Sequence, residues 1–263
     1  MLKPIILTLF ATFGISTMSL AQGDLAHEVG IIFGPVALQS DYGERHNLDT
    51  NLGNTGFGVG IVHFLNFSAN NNRESFFTEH FKVRTELSFS KVNLQNFGEW
   101  VEKTPPTLAV LQLRAMKGSS TVINIGSQLE FSFMKIHDFE NTTGAFSPYV
   151  SLGLAGSFYS TKVSSSLGQL GDPAVTYPKY LTPSDGRQFG FSNENGVALS
   201  ILTGLGIHYK LSEMSDLMVE GRFQAFTSDW IDGINANKDI YTENKSNDWQ
   251  FWFNVGYVYY LEF

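Results

Sequence analysis

The chain has 263 residues, a formal charge of −8 at pH 7 and no cysteine, which excludes a disulfide-built domain, a lipid anchor on cysteine and a basic nucleic-acid-binding surface. Phe, Tyr and Trp make up 14% of it and charged residues only 16%, while the mean hydropathy is −0.06. That profile excludes long apolar helices and suits strands in which every second residue is polar.

The first element is a leader. Met1-Leu2-Lys3 is a short positive start, Ile5 to Ile15 is almost unbroken apolar chain, and Ser19-Leu20-Ala21 places small residues where a signal peptidase reads. These features predict a signal peptide over 1–21, cleavage before Gln22, and a single β domain over 22–263. Loss of Lys3, the leader's one charge, moves the formal charge from −8 to −9. A membrane-anchoring helix is the weaker reading, because the apolar run falls short of the roughly 20 residues that span a bilayer.

Eight period-2 segments follow. The first two, 27–38 and 56–67, are rich in glycine and less regular than the rest. Over 81–92, Phe81, Val83, Leu87 and Phe89 oppose Lys82, Arg84, Glu86, Ser88 and Ser90. Over 122–133, Ile123, Ile125, Leu129 and Phe131 oppose Asn124, Gly126, Gln128 and Glu130. Segment 149–159 sets Val150, Leu152, Leu154 and Phe158 against Ser151, Gly153, Ala155 and Ser157. Segment 197–211 sets Val197, Leu199, Ile201, Leu205 and Ile207 against Ser200, Gly204, Gly206, His208 and Lys210. The seventh opposes Leu217, Val219 and Phe223 to Glu220, Arg222 and Gln224. The last, 249–263, has an unbroken apolar face from Trp249 through Phe251, Phe253 and Tyr257 to Phe263. A terminal aromatic after such a strand resembles the signal by which bacterial outer-membrane barrels are recognised for insertion.

The connections obey a parity. The first, third, fifth and seventh links (37–55, 94–119, 162–193 and 231–247) are each longer than the even ones (68–77, 135–146 and 212–215). Long external loops alternating with short periplasmic turns are what a bacterial transmembrane barrel requires, and a soluble sandwich has no reason to follow them. The predicted fold is therefore all-β: an eight-stranded antiparallel up-and-down transmembrane β-barrel with four long external loops. It is expected in the outer membrane with both termini in the periplasm. At eight strands side chains fill the interior, so a diffusion pore is not expected.

Candidate chemistry is sparse. Lys82, Arg84, Glu86, Glu130, Lys210, Glu220 and Arg222 fall on the inward faces, where they form either a proton or ligand path or, as the favoured reading, an ion-pair network in a filled lumen. Gly56-Phe57-Gly58-Val59-Gly60-Ile61 resembles a nucleotide-binding glycine loop only superficially, since its third glycine comes one residue early and no helical pattern follows. His27, His46, His63, His80, His137 and His208 show no metal-ligand spacing. Asp229-Trp230-Ile231-Asp232-Gly233, with Asp239, matches no EF-hand loop and reads as an Asp-capped turn beside an interfacial Trp. Ser228 with Asp229, or His46 with Asp41 and Glu44, would be the rim groups of an enzyme, although no spacing demands one. The expectation is no enzyme: no catalytic, cofactor-binding or metal residue, and no cofactor.

His27-Glu28-Val29-Gly30, Ser40-Asp41-Tyr42-Gly43-Glu44-Arg45, Phe97-Gly98-Glu99-Trp100, Asp229-Trp230-Ile231-Asp232-Gly233 and Asn254-Val255-Gly256-Tyr257 together resemble an uncharacterised family of flavobacterial outer-membrane barrels, over nearly all of 22–263. The spacing of Glu28, Gly30 and Gly34 is more distantly similar to the PorG- and PorT-like barrels of the type IX secretion system. The resemblance implies no catalytic residues. The expected partners are outer-membrane lipid and other envelope or secretion proteins, with no nucleic acid. Two functional classes follow: a structural or interaction barrel, and, as the alternative, an enzyme acting on lipid A or peptides at the external rim.

Overall fold

The computed structural model describes residues 25–43, 48–69, 75–242 and 246–261. The leader, its cleavage site, His46, Glu44 and Phe263 lie outside them. Eight strands follow in order: β1 (Ala26–Gln39), β2 (Thr55–Asn66), β3 (Phe81–Gln95), β4 (Met116–Ser132), β5 (Phe146–Ser165), β6 (Asn195–Ser212), β7 (Ser215–Phe226) and β8 (Trp249–Tyr260). Each pairs antiparallel with its sequence neighbours, and β1 also pairs with β8, from Glu28 opposite Tyr260 to Gln39 opposite Trp249. The sheet is thereby a closed eight-stranded barrel with no free edge, and its two chain ends lie at one rim, the base.

Alternation orients every strand. Along the middle of each strand the outward side chains are mostly apolar and exposed, among them Ile31, Leu87, Ile125, Leu154 and Leu199, with Leu154 at 67%. Their inward neighbours are buried and largely polar, with Arg84, Glu130, Lys210 and Glu220 at 0%. This polarity is the reverse of a water-soluble barrel's.

The strands outrun their predicted boundaries on one flank. β4 begins at Met116 and β5 runs to Ser165, well beyond 122–133 and 149–159. Pairing continues there, from Met116 opposite Ser165 to Thr121 opposite Ser160. The outward residues of those extensions are polar, so the contrast between faces fades while the hydrogen-bonded ladder does not. The last strand is shorter than predicted, ending at Tyr260.

The parity of the links is observed. The upper connections 40–54, 96–115, 166–194 and 227–248 each exceed the basal ones, 67–80, 133–145 and 213–214, with 40–54 against 67–80 the narrowest margin. Two basal links carry short helices, Phe76–His80 and Ile136–Glu140, instead of bare turns.

Candidate functional site

The inward charges converge because strand register stacks them at shared heights. Lys82 pairs across to Glu130, Arg84 to Gln128, Glu220 to Asn254 and Arg222 to Trp252. Small residues make the room. A Cβ on Gly206 would stand 2.5 Å from the Tyr149 ring, whose hydroxyl donates to Glu220 Oε2 at 2.7 Å.

At the base of the lumen, Lys82 Nζ meets Glu28 Oε1 at 2.7 Å, and Asn66 Nδ2 donates to that oxygen at 3.0 Å and also to Glu140. His208 lies between two carboxylates, Asp216 at 3.0 Å from Nδ1 and Glu130 at 3.1 Å from Nε2. Tyr260 donates to Asp216 Oδ2 at 2.8 Å, and Lys210 Nζ sits 3.7 Å from the centre of the Tyr260 ring. At mid-height Glu220 is gripped by two guanidiniums, Arg84 at 2.7 Å on Oε2 and Arg222 at 2.7 Å on Oε1. Arg222 also reaches Glu86 at 2.6 Å. Above this, Gln224 Nε2 donates to Ser200 Oγ at 2.8 Å and Asn124 Oδ1 at 3.0 Å.

Acids and bases alternate closely, so that Lys82, Arg84 and Arg222 each meet a carboxylate, which is how a low-dielectric interior tolerates them, while Lys210 donates to the Glu213 carbonyl at 3.0 Å. This is the ion-pair network of the favoured sequence reading. Its members are joined to one another across the lumen by hydrogen bonds and ion pairs.

Both ends of the lumen are covered. At the base, Ile136 and Phe139 of the helix Ile136–Glu140 are buried, with the Phe139 ring 6.3 Å from that of His208. Above, segments 182–192 and 232–237 are stitched by backbone hydrogen bonds: Asn235 N to Gly190 O and Asn237 N to Thr182 O, each 2.9 Å, and Ser192 N to Gly233 O, 2.8 Å. Tyr42, Tyr180, Ile231 and Ile234 are buried beneath them and belong to the same apolar cluster as Leu38, Leu94 and Val163. Gly233 has φ +85, and a Cβ there would stand 2.8 Å from Val163 Cγ2, so this turn needs glycine twice over.

The Asp229–Gly233 run therefore forms the keystone of a cap. Asp232 accepts from Asp41 N at 2.6 Å and Ile234 N at 2.7 Å, and Asp248 accepts from Ile231 N at 3.0 Å. Burial, then the neighbouring Asp41, pushes the Asp232 carboxyl well above the usual carboxylate range. The predicted Asp-capped turn is present, but its Trp does not face a membrane interface. Trp230 is 7% exposed, under the Arg187 guanidinium at 4.0 Å, and donates to Asp185 Oδ2 at 3.1 Å.

The remaining candidates disperse. Ser228 Oγ accepts from Trp230 N at 3.2 Å and lies 3.5 Å from the Tyr159 hydroxyl, while Asp229 faces Lys238 at 3.3 Å. The glycine run 56–60 lies within β2. His27 and His63, 36 residues apart, meet on the outer wall with Nδ1 and Nε2 at 3.0 Å; only the pairing of β1 with β2 reveals that encounter. Among the described residues no group of three or more His, Asp or Glu is placed to hold a metal ion. A shallow basal cleft lies among Ser68, Thr78, Glu79, Lys135, His137 and Asp138, with Lys135 bonded to Glu79 at 2.9 Å.

No protein-family model and no curated protein matches the chain. Among solved structures it is similar to Neisserial surface protein A, with a TM-score of 0.44 and 13% identity over 89% of this chain and 96% of that one. It is also similar to Ail, the attachment invasion locus protein of Yersinia pestis, with a TM-score of 0.41 and 12% identity over 91% and 100%. A major outer membrane protein from Thermus thermophilus gives 0.46 and 9% over 90% and 100%.

Proposed function

We propose that the chain is an outer-membrane barrel whose base faces the periplasm, and that it serves as a sealed platform presenting its external cap to another envelope protein. One observation carries this reading: a closed barrel with exposed apolar side chains all round its wall and ion-paired charges inside. Water would penalise the first feature and a bilayer rewards it, because closure leaves no unpaired backbone edge in hydrocarbon. On β5 the apolar outward positions run from Phe146 to Phe158, about 30 Å at ~3.4 Å per residue and a tilt near 40°, comparable with the ~25 Å apolar band of such barrels.

The filled lumen argues for a role outside it. Ion pairs occupy the lumen between the cap above and Phe139 at the base, which argues against a solute path. Of the rim groups that an enzyme would use, Ser228 is engaged with Trp230 N and Asp229 with Lys238, which supports a non-catalytic role. The proposed partner is a protein of the envelope, and the likeness to type IX secretion-associated barrels in short sequence runs makes secretion machinery the first to test.

Crosslinking and affinity capture of the full chain from native envelope membranes test the partner. A reproducible envelope or secretion protein, lost when the cap segment 229–237 is replaced by a Gly-Ser linker, is expected. Unaltered capture with the replaced cap overturns the cap as the contact surface. Altered lipid A in a deletion strain would instead favour the enzymatic alternative.

A further inference from the structure

The wall of the barrel is lopsided. β3, β4, β5 and β6 are 15, 17, 20 and 18 residues long, whereas β2, β7 and β8 are each 12. The surplus of β3–β5 lies above the apolar belt, which ends on these strands at Phe89, Ile123 and Phe158. Beyond that line the outward residues change type abruptly. Lys91, Lys117 and Lys162 stand there, all exposed, and the outward positions between them are Asn, Gln, Ser or Thr. None carries a carboxylate, in a chain whose formal charge is −8.

Register makes the three lysines one patch. Lys117 pairs with Ser164 and Lys162 with Ser119, which places Lys117 and Lys162 on a cross-strand diagonal, about 7–8 Å between backbones. Lys91 pairs with Thr121, two residues along β4 from Ser119, and occupies the lower corner of a triangle. Among the described residues none of the three has an ion-pair or hydrogen-bond partner of its own. Lysines that only kept a projecting wall soluble would serve as well interspersed with acids. A patch of one sign, rising from the edge of the apolar belt at Lys91 through Lys162 to Lys117, is matched instead to anionic groups carried above that edge.

We infer that Lys91, Lys117 and Lys162 bind the phosphate groups of a phosphorylated glycolipid headgroup in the external leaflet. The inference rests on the membrane reading above. Lysine suits this ligand, being a compact point charge on a flexible stem that can run along the apolar wall while its ammonium reaches a headgroup. The bound lipid would tie the tall flank of the barrel to the leaflet and set its depth.

The test uses the refolded full chain in neutral phospholipid nanodiscs, titrated with lipid A carrying two phosphates, one phosphate or none. Affinity should fall in that order and weaken with added salt. The triple variant K91Q/K117Q/K162Q should bind the doubly phosphorylated lipid about tenfold or more weakly, while binding the dephosphorylated lipid as the unaltered chain does. Equal binding of all three lipids, or an unaffected variant, overturns the inference. So does equally tight binding to phosphatidylglycerol, which would mark a general anionic-surface contact. Heat-dependent gel mobility, read on the same samples, separates the two levels: a chain that inserts but ignores the phosphates loses only this site. A chain that fails to insert loses the membrane reading and the site together.

Discussion

At the scale of single residues, Glu220 has the most to lose. Its two oxygens are divided between Arg84 and Arg222, and Tyr149 donates to one of them. Glu220→Gln would leave two buried guanidiniums without the charge they share. Removing one partner of such a buried set costs about 3–5 kcal/mol, to be read as a lower urea midpoint for loss of the compact form on a gel. Lys135→Ala, which breaks the exposed pair with Glu79, should leave that midpoint almost unmoved, since solvent already screens the interaction. Comparable losses from both variants would show that the lumen network is not what holds the barrel together. Gly206→Ala belongs with Glu220→Gln, because the new methyl would push on the ring that supports the same carboxylate.

At the scale of elements, the cap contains its own pH dependence. Asp232 is held above the usual carboxylate range by burial and by Asp41. The folded cap therefore keeps a proton that the opened loop would release near its ordinary pKa of about 3.9. Because the folded form binds the extra proton, cap stability is greatest below that value. It declines as pH rises from there to the raised folded pKa, and is level beyond. Amide exchange at Ile231 and Ile234, corrected for intrinsic rates, should show protection falling over that window. Asp232→Asn should flatten the profile. Protection that rises with pH would contradict this account of the keystone. Gly233→Ala, which is strained in φ and crowded by Val163, should open the cap at every pH while leaving the strands paired.

At the scale of the whole molecule, the closed wall and covered lumen set two expectations. Unboiled protein should run faster than boiled protein on a denaturing gel, because a closed barrel resists unfolding by detergent. The same preparation in planar bilayers should show no steady ion conductance. Sustained conductance would mean that the cap or the Phe139 cork stands open in a membrane. A chain that needs no detergent and shows no mobility shift would remove the bilayer from the account altogether.

Much of this architecture is legible along the chain, for a physical reason. In a transmembrane wall the two faces of each strand meet opposite environments, so alternation writes itself into the sequence, from Phe81 to Phe89 and from Trp249 to Tyr259. Turn and loop lengths follow from the bilayer in the same way, and the parity of the links survives in the structure. The reading weakens where both faces share one polarity. The upper ends of β4 and β5 have polar residues outward at Lys117, Thr121 and Lys162, and there the predicted boundaries each stop short by six residues. The sequence also placed Lys82, Arg84, Glu130, Glu220 and Arg222 inside, yet it did not pair them. Arg84 and Glu220 are 136 residues apart and meet across the lumen, an encounter set by closure and register that no local pattern records. The same holds for the cap. Asp229–Gly233 reads locally as a turn beside an interfacial Trp, and only the docking of 182–192 against 232–237 buries Trp230 and makes Asp232 a keystone. Strand identity, facing and link parity were thus determined by the sequence alone, because each depends on neighbours one or two residues away. Lumen pairing, the cap and the lysine patch were decided by tertiary structure, because each depends on which distant strands the closed sheet brings side by side.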